Sequence, residues 1–195
     1  MFKSFVGFVK EIYETNEFIP LHEPRFIGNE KKYVLDTIDS SFVSSVGAYV
    51  ERFESEIAKY TGANYAIATV NGTAALHIAL KLAHVSSGDE VITQSLTFVA
   101  TCNAIRYCGA EPVFVDVDKK TLGLSALSLQ VFLDKYCEIR DDGFCWNKVS
   151  NRIVRACLPM HTFGFPVHLD EIKAVCDRYN IILVEDAAES LGATF

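Results

Sequence analysis

The sequence lacks the motifs that mark most phosphate-binding and hydrolytic sites. Its 11 glycines include no Gly-x-Gly pair, which excludes the dinucleotide-binding fingerprint. Walker A loops, Gly-x-Ser-x-Gly elbows and His-Glu-x-x-His zinc helices are also absent. The six cysteines contain no Cys-x-x-Cys pair. No metal site is therefore predicted, and the thiols are interpreted as small apolar residues in a reducing compartment.

Excess positive charge and long apolar runs are missing as well. The chain of 195 residues has 18 Lys and Arg against 25 Asp and Glu, a net charge of −7. This balance argues against nucleic acid as a partner, because a phosphate backbone is held mainly by basic side chains. No apolar run approaches the ~20 residues that span a bilayer, and the stretch between Lys3 and Lys10 is too short for a secretory signal. We therefore expect a cytoplasmic protein without a membrane partner.

From about residue 48 onward, helical and strand patterns alternate. Five strands between helices predict an α/β fold with a mostly parallel sheet, covered by helices on both faces. The polar stretch 141–151 is predicted to be a loop or an insertion. Because the sequence stops just after its last strand, we expect it to be the front part of a larger fold. The predicted helices are 49–60, 73–83, 98–108, 127–136 and 169–179, and the predicted strands are 65–70, 90–93, 112–117, 153–158 and 181–185.

Ligands of parallel sheets bind beyond the carboxyl ends of the strands. Asn71, Gly72 and Thr73 follow the first predicted strand and open a helix. Glycine permits close approach of a ligand, and the free N–H groups and dipole of a helix start suit a phosphate. An ordinary asparagine cap is an equally good interpretation of this segment alone.

Two further positions follow predicted strands. Phe98 can offer a flat face to a planar ligand, although burial in the core is the simpler interpretation of a large apolar residue. Asp186 can hold a cationic ring nitrogen, a ribose or a metal; it can also cap a helix, with Glu189 completing a capping box.

Other polar residues near strand ends carry less weight. His161 is a fourth candidate, but a lone histidine more often satisfies local hydrogen bonds than performs catalysis. Asp116 and Asp118 alternate across a strand end, which favours a solvated turn over a metal pair.

Taken in order, these segments resemble the DegT/StrS family of pyridoxal-phosphate-dependent sugar aminotransferases. Within it they look most similar to the branch that aminates nucleotide-linked 4-keto sugars for nonulosonic acids such as legionaminic acid. The matching stretches are Gly47-Ala-Tyr-Val-Glu-Arg-Phe-Glu, Asn71-Gly-Thr-Ala-Ala-Leu, Thr97-Phe-Val-Ala-Thr-Cys-Asn-Ala-Ile, Gly109-Ala-Glu-Pro-Val-Phe-Val-Asp-Val-Asp, His161-Thr-Phe-Gly and Val184-Glu-Asp-Ala-Ala-Glu-Ser-Leu-Gly.

The resemblance implies a three-layer, aspartate-aminotransferase-like (fold type I) large domain, here truncated. An N-terminal arm would occupy residues 1–20, and a partial pyridoxal-phosphate-binding domain would occupy 21–195. The implied reaction is transamination of a nucleotide-linked 4-keto sugar, with glutamate as amino donor, in surface-polysaccharide sugar biosynthesis. The family works as a homodimer, so the intact protein is expected to be one.

The resemblance also assigns roles to the candidate residues. Asn71, Gly72 and Thr73 would bind the cofactor phosphate, with the amides of Gly72 and Thr73 as donors. Phe98 would stack on the pyridine ring. Asp186 would keep the ring nitrogen protonated and Glu189 would lie near the ring hydroxyl, while His161 is a possible pocket residue.

Three departures from the family pattern stand out. Members often carry a polar residue at Phe165 and an acid at His168. The Schiff-base lysine lies downstream of the Glu-Asp-Ala-Ala segment, whereas the last lysine here is Lys173. The 195 residues are therefore expected to be inactive alone. The alternatives are a non-catalytic fragment that binds a phosphate ligand or a partner, a lysine-less pyridoxal-phosphate sugar dehydratase in which histidine replaces lysine, and an unrelated nucleotide-binding enzyme, which the missing Gly-x-Gly disfavours.

Overall fold

The computed structural model describes residues 2–20 and 23–194, and two compact units divide the chain at Ala66 and Ile67. The predicted boundary at residues 20 and 21 falls on a position outside the described residues and stays a prediction. The helices are α1 (Lys3–Ile12), α2 (Glu30–Asp39), α3 (Ala48–Thr61), α4 (Gly72–Leu82), α5 (Val99–Tyr107), α6 (Ala126–Tyr136) and α7 (Leu169–Arg178). The strands are β1 (Glu90–Gln94), β2 (Glu111–Val115), β3 (Cys137–Ile139), β4 (Cys145–Asn147), β5 (Arg152–Cys157) and β6 (Ile182–Leu183).

The first unit contains α1, α2 and α3, and none of its described side chains is fully buried. Polar and aromatic contacts join α2 to α3. The rings of Tyr33 and Tyr49 lie 5.0 Å apart, and the Arg52 guanidinium lies 5.5 Å from the Tyr33 ring centre. The Tyr49 hydroxyl donates to the Asp36 carboxylate at 2.9 Å.

The second unit is built on one mixed sheet with the strand order β2-β1-β5-β4-β3, and β6 pairs with β5. β1, β2, β5 and β6 run parallel, whereas β3 and β4 form an antiparallel hairpin that pairs with the start of β5. The parallel strands therefore end at one edge of the sheet, as the alternating pattern predicted.

Helices cover both faces of this sheet. Val91 packs with α4 and α5, whereas its neighbour Ile92 packs with α6 and α7, because consecutive strand residues point to opposite faces. A β-bulge shifts the pairing, since Glu90 lies opposite Val154 but Val91 lies opposite Ala156. Those two partners consequently pack on different faces. The result is the predicted three-layer arrangement, with one apolar cluster on each side.

The apolar run 65–70 does not form the predicted strand. Tyr65, Ile67 and Val70 are 85%, 77% and 89% exposed, and no described strand pairs with this segment. A strand is stabilised by its neighbours in a sheet, so strand propensity alone is not enough to form one here.

The polar stretch 141–151, predicted to be a loop or an insertion, contains the short strand β4 between two turns. The turn before β4 is held by Asp142, whose carboxylate accepts from the Phe144 N–H at 3.0 Å and the Trp146 indole at 2.9 Å. Strands of three residues are too short to show a period of two in the sequence.

No helix in the described part of the chain is long and apolar enough to cross a membrane.

Candidate functional site

Side chains of β1 tie the carboxyl ends of the parallel strands together. The Gln94 amide donates to the Met160 carbonyl at 2.7 Å and accepts from the Met160 N–H at 3.1 Å. The Thr93 hydroxyl donates to the Leu158 carbonyl at 2.7 Å. Because these residues are buried, the segment after β5 is held rigidly beside the end of β1.

Asp186 lies at this edge, after β6. Its backbone N–H donates to the Pro159 carbonyl at 2.9 Å, and its carbonyl accepts from the His161 N–H at 3.2 Å. The residue is only 4% exposed. The Thr101 hydroxyl donates to its Oδ2 at 2.7 Å, and the Ala188 N–H donates to its Oδ1 at 3.3 Å.

No basic side chain in the described ranges forms an ion pair with Asp186. A buried carboxylate is costly unless a positive charge or several donors compensate it. The two donors here compensate it only in part, so the position favours a cationic ligand. Residues 187–194 contain turns but no helix, so the predicted capping box with Glu189 does not form.

His161 lies beside Asp186, but protein groups already occupy both of its ring nitrogens. Nδ1 accepts from the Val167 N–H at 3.1 Å, so the proton of the neutral ring must sit on Nε2. Nε2 then donates to the Glu185 carboxylate at 3.1 Å. His161 therefore links the segment after β5 to the end of β6, and a role toward a ligand stays a prediction.

Glu189 supports an unusual turn at the same edge. One carboxylate oxygen accepts from the Phe163 N–H at 2.8 Å. Phe163 and Gly164 both have left-handed backbones, with φ of +54° and +81°. A Cβ at Gly164 would lie 2.9 Å from the Glu189 carbonyl, so only glycine fits there. The second Glu189 carboxylate oxygen has no protein partner among the described residues.

Phe98 precedes α5, and its side chain is 67% exposed, which excludes the alternative of a buried core residue. Its N–H donates to the Met160 sulfur at 3.4 Å, so its backbone is fixed to the site edge. The ring is therefore available to a ligand, and its stacking role stays a prediction.

Asn71, Gly72 and Thr73 form the start of α4, which packs with α5 on one face of the sheet. Asn71 Oδ1 accepts from the Ala74 N–H at 2.9 Å, so the asparagine does cap the helix. A Cβ at Gly72 would meet no atom within 4 Å. The cap and the phosphate interpretations are compatible, because the N–H groups of Gly72 and Thr73 precede the capped turn.

Other polar candidates lie outside this arrangement. Asp118 forms the expected turn: backbone N–H groups of Thr121 and Lys120 donate to its carboxylate and lower its pKa. Asp116 accepts a hydrogen bond from the Val117 N–H. No cluster of metal-ligating side chains exists among residues 2–20 and 23–194, and all six cysteines are free.

Sequence reasoning missed Thr101, Glu185 and Phe163. The signal for Thr101 was available, since it lies one helical turn after Phe98 and therefore faces the same edge. The roles of Glu185 and Phe163 depend on contacts with distant segments, which no local pattern shows.

Comparison with known proteins gives consistent matches. The model of the DegT/DnrJ/EryC1/StrS aminotransferase family matches residues 24–195. The GDP-perosamine synthase of Caulobacter vibrioides is 40% identical over 177 residues, which cover 91% of this chain and 43% of that protein.

Solved structures of aminotransferases and of a dehydratase are also similar to this chain. The aminotransferase from Psychrobacter cryohalolentis matches with a TM-score of 0.75 at 32% identity, covering 92% of this chain and 41% of its own. A GDP-4-keto-6-deoxymannose-3-dehydratase with a trapped PLP-glutamate geminal diamine matches with a TM-score of 0.70 at 26% identity, covering 91% of this chain and 43% of its own. The superpositions confirm the predicted α/β aminotransferase fold, and the chain spans less than half the length of these relatives.

Proposed function

Because the chain belongs to the DegT/DnrJ/EryC1/StrS aminotransferase family, we propose that its sheet edge holds pyridoxal 5'-phosphate for the amination of a nucleotide-linked sugar. Pyridoxal phosphate is the cofactor that the family and a PLP-containing neighbour indicate. The observation that carries the proposal is the buried carboxylate of Asp186, which has two hydrogen-bond donors and no basic partner among the described residues.

The residues present fit this cofactor at three points. Asp186 would pair with the protonated ring nitrogen, and its low exposure would strengthen that charge-assisted bond. The open helix start at Gly72 and Thr73 would receive the phosphate. Phe98 would cover one face of the ring, since its side chain is exposed on a fixed backbone.

When bound, the protonated ring withdraws electrons from the substrate carbon that loses a proton. The contribution of this chain would be electrostatic and positional. Asp186 would keep the proton on the ring nitrogen, and Glu189 would offer its second carboxylate oxygen to the ring hydroxyl. His161 would hold the adjacent loop in place through Val167 and Glu185.

For the substrate, we propose a nucleotide-linked 4-keto-6-deoxyhexose with glutamate as amino donor, used in surface-polysaccharide biosynthesis. The GDP-perosamine synthase relative and the GDP-4-keto-6-deoxymannose dehydratase neighbour favour a GDP-linked sugar as the first to test. The narrower resemblance to the nonulosonic-acid branch stays a prediction, as do a cytoplasmic location and a homodimer.

The 195 residues contain no lysine after Lys173. We propose that they bind the cofactor without a covalent bond to lysine and do not turn over alone. Borohydride reduction with pyridoxal phosphate, followed by peptide mass spectrometry, should find no specific pyridoxyl-lysine; one stoichiometric modified lysine would contradict this. The dehydratase alternative predicts consumption of GDP-4-keto-6-deoxymannose without transfer of an amino group to the sugar.

Titration with pyridoxamine 5'-phosphate, followed by its fluorescence, tests the cofactor site without Schiff-base formation. We expect saturable binding that D186N weakens by about 10- to 100-fold, since a hydrogen bond to a charged group contributes about 1.5–3 kcal/mol. D141N is the matched control, because Asp141 is exposed in the hairpin turn. Equal affinity of D186N and D141N would contradict the proposed site.

A further inference from the structure

We propose that Thr101 is a positioning residue that, together with Thr97, orients the Asp186 carboxylate toward the ring nitrogen of the cofactor. This inference rests on the proposed function. It adds two hydroxyl groups to the site, that of Thr101 on α5 and that of Thr97 just before α5. Neither hydroxyl needs to contact the cofactor.

The geometry around Thr101 is tight and dry. Its hydroxyl lies 2.7 Å from Asp186 Oδ2, and Thr101 is fully buried. The neighbouring residues Ala104 and Ile105 are fully buried in the cluster that α4 and α5 share. The Thr101 hydroxyl is therefore held by a packed helix rather than by a mobile loop, which is how a supporting group fixes a functional one.

Donor counting gives this contact a direction. An ionised carboxylate only accepts, so the single Thr101 hydroxyl proton must point to Asp186. Thr97 Oγ1 lies 2.8 Å from Thr101 Oγ1, and Thr97 must then be the donor in that bond. The Met160 sulfur, 3.2 Å from Thr97 Oγ1, is left as a packing contact. The two hydroxyls form a one-way chain that ends on the carboxylate, and such chains strengthen each bond by polarisation.

The chain also distinguishes the two carboxylate oxygens. Oδ2 accepts the short bond from Thr101, whereas Oδ1 accepts only the longer one, 3.3 Å, from Ala188. Oδ1 therefore keeps more capacity for a ligand. Without the Thr101 bond, the carboxylate is free to rotate about its χ2 angle, which has broad energy wells.

Two substitutions separate the hydroxyl from the methyl group of Thr101. T101V keeps the shape and the methyl contacts but removes the donor. T101S keeps the donor and removes the methyl. In the 195-residue chain, titrated with pyridoxamine 5'-phosphate, we expect T101V to bind about tenfold more weakly, as for one lost hydrogen bond to a charged group. T101S should remain within about twofold of the wild type, because it keeps that bond.

The absorbance of the bound ring supplies a readout that packing alone would not move. Wild type and T101S should shift the pyridinium band of the ligand equally, and T101V should shift it less. T97V should give a smaller loss of affinity than T101V, because Thr101 then keeps its bond to Asp186. Circular dichroism confirms folding. If T101V does not fold, the affinities of T101A and T101S are compared instead, since alanine lacks the hydroxyl and serine keeps it.

The outcomes separate this inference from the function it rests on. If D186N weakens binding while T101V matches the wild type in affinity and spectrum, Thr101 is not a positioning residue and the proposed function stands. Loss of binding in T101S but not in T101V also overturns the inference, because packing would then be the cause. If the wild-type chain shows no binding, the proposed function fails and this inference fails with it.

Discussion

At the scale of single residues, the site depends on one charge and its immediate donors. Asp186 is buried, its main chain is fixed by Pro159 and His161, and its carboxylate accepts one short bond from Thr101. The position of Asp186 was predictable, because an acid after a buried strand falls at the ligand edge of a parallel sheet. Thr101 was missed, although its spacing of one helical turn after Phe98 places it at the same edge.

Gly164 should tolerate substitution poorly. Its φ of +81° strains any side chain, and a Cβ would lie 2.9 Å from the Glu189 carbonyl. We expect G164A to lower the free energy of unfolding by about 2–3 kcal/mol, measured by urea denaturation. Gly143 is the control, since its φ is +78° but nothing lies within 4 Å. G143A should cost about 1 kcal/mol, and equal costs would show that the close approach does not matter.

At the scale of elements, the five predicted helices agree with α3 to α7 within one residue at each end, whereas α1 and α2 were not predicted. The prediction of a strand at 65–70 was wrong, because an apolar pattern does not show whether a neighbouring strand is present to pair with it. The hairpin of β3 and β4 was missed, because Asp142 and not hydrophobic periodicity defines its turn. Local patterns therefore predict packed helices better than they predict strand pairing.

The start of α4 gives a prediction that links stability to the site. Asn71 caps this helix through the Ala74 N–H at 2.9 Å. N71A should lower the free energy of unfolding by about 1 kcal/mol in urea denaturation, and N71S should recover most of it because serine also caps well. An N71A chain as stable as the wild type would mean that the cap contributes nothing.

The contact between α6 and α7 should make stability depend on pH at the alkaline end. The Tyr179 hydroxyl donates to the Asp134 carboxylate, and this bond raises the pKa of Tyr179 from 10.0 to about 12. A raised pKa adds stability that is complete below pH 10 and is lost as the pH rises through about 12. The difference in urea midpoint between wild type and Y179F should therefore shrink over this window.

D134N is the matched variant for that measurement. Asparagine keeps an acceptor for Tyr179 but removes the charge, so the upward shift in the tyrosine pKa should shrink without vanishing, because the hydrogen bond is its largest cause. A difference between wild type and Y179F that stays constant from pH 8 to 12 would contradict this account of the contact.

At the scale of the whole molecule, all the fully buried side chains described belong to the second unit, Ile67–Phe195. The alternation of strands and helices was enough to predict its three layers and the edge where the candidate residues lie. The sequence did not predict the division at Ala66 and Ile67, because no composition shift or linker marks that point. The candidate site lies wholly within the second unit.

The central claim is that one cofactor bridges Asp186 and the start of α4. A crystal structure of the chain with pyridoxamine 5'-phosphate tests it most directly. We expect the ring nitrogen at about 2.7–3.0 Å from the Asp186 carboxylate, and the phosphate oxygens within about 3.2 Å of the Gly72 and Thr73 amides. A ligand whose phosphate lies elsewhere, or whose ring nitrogen faces a group other than Asp186, would contradict it.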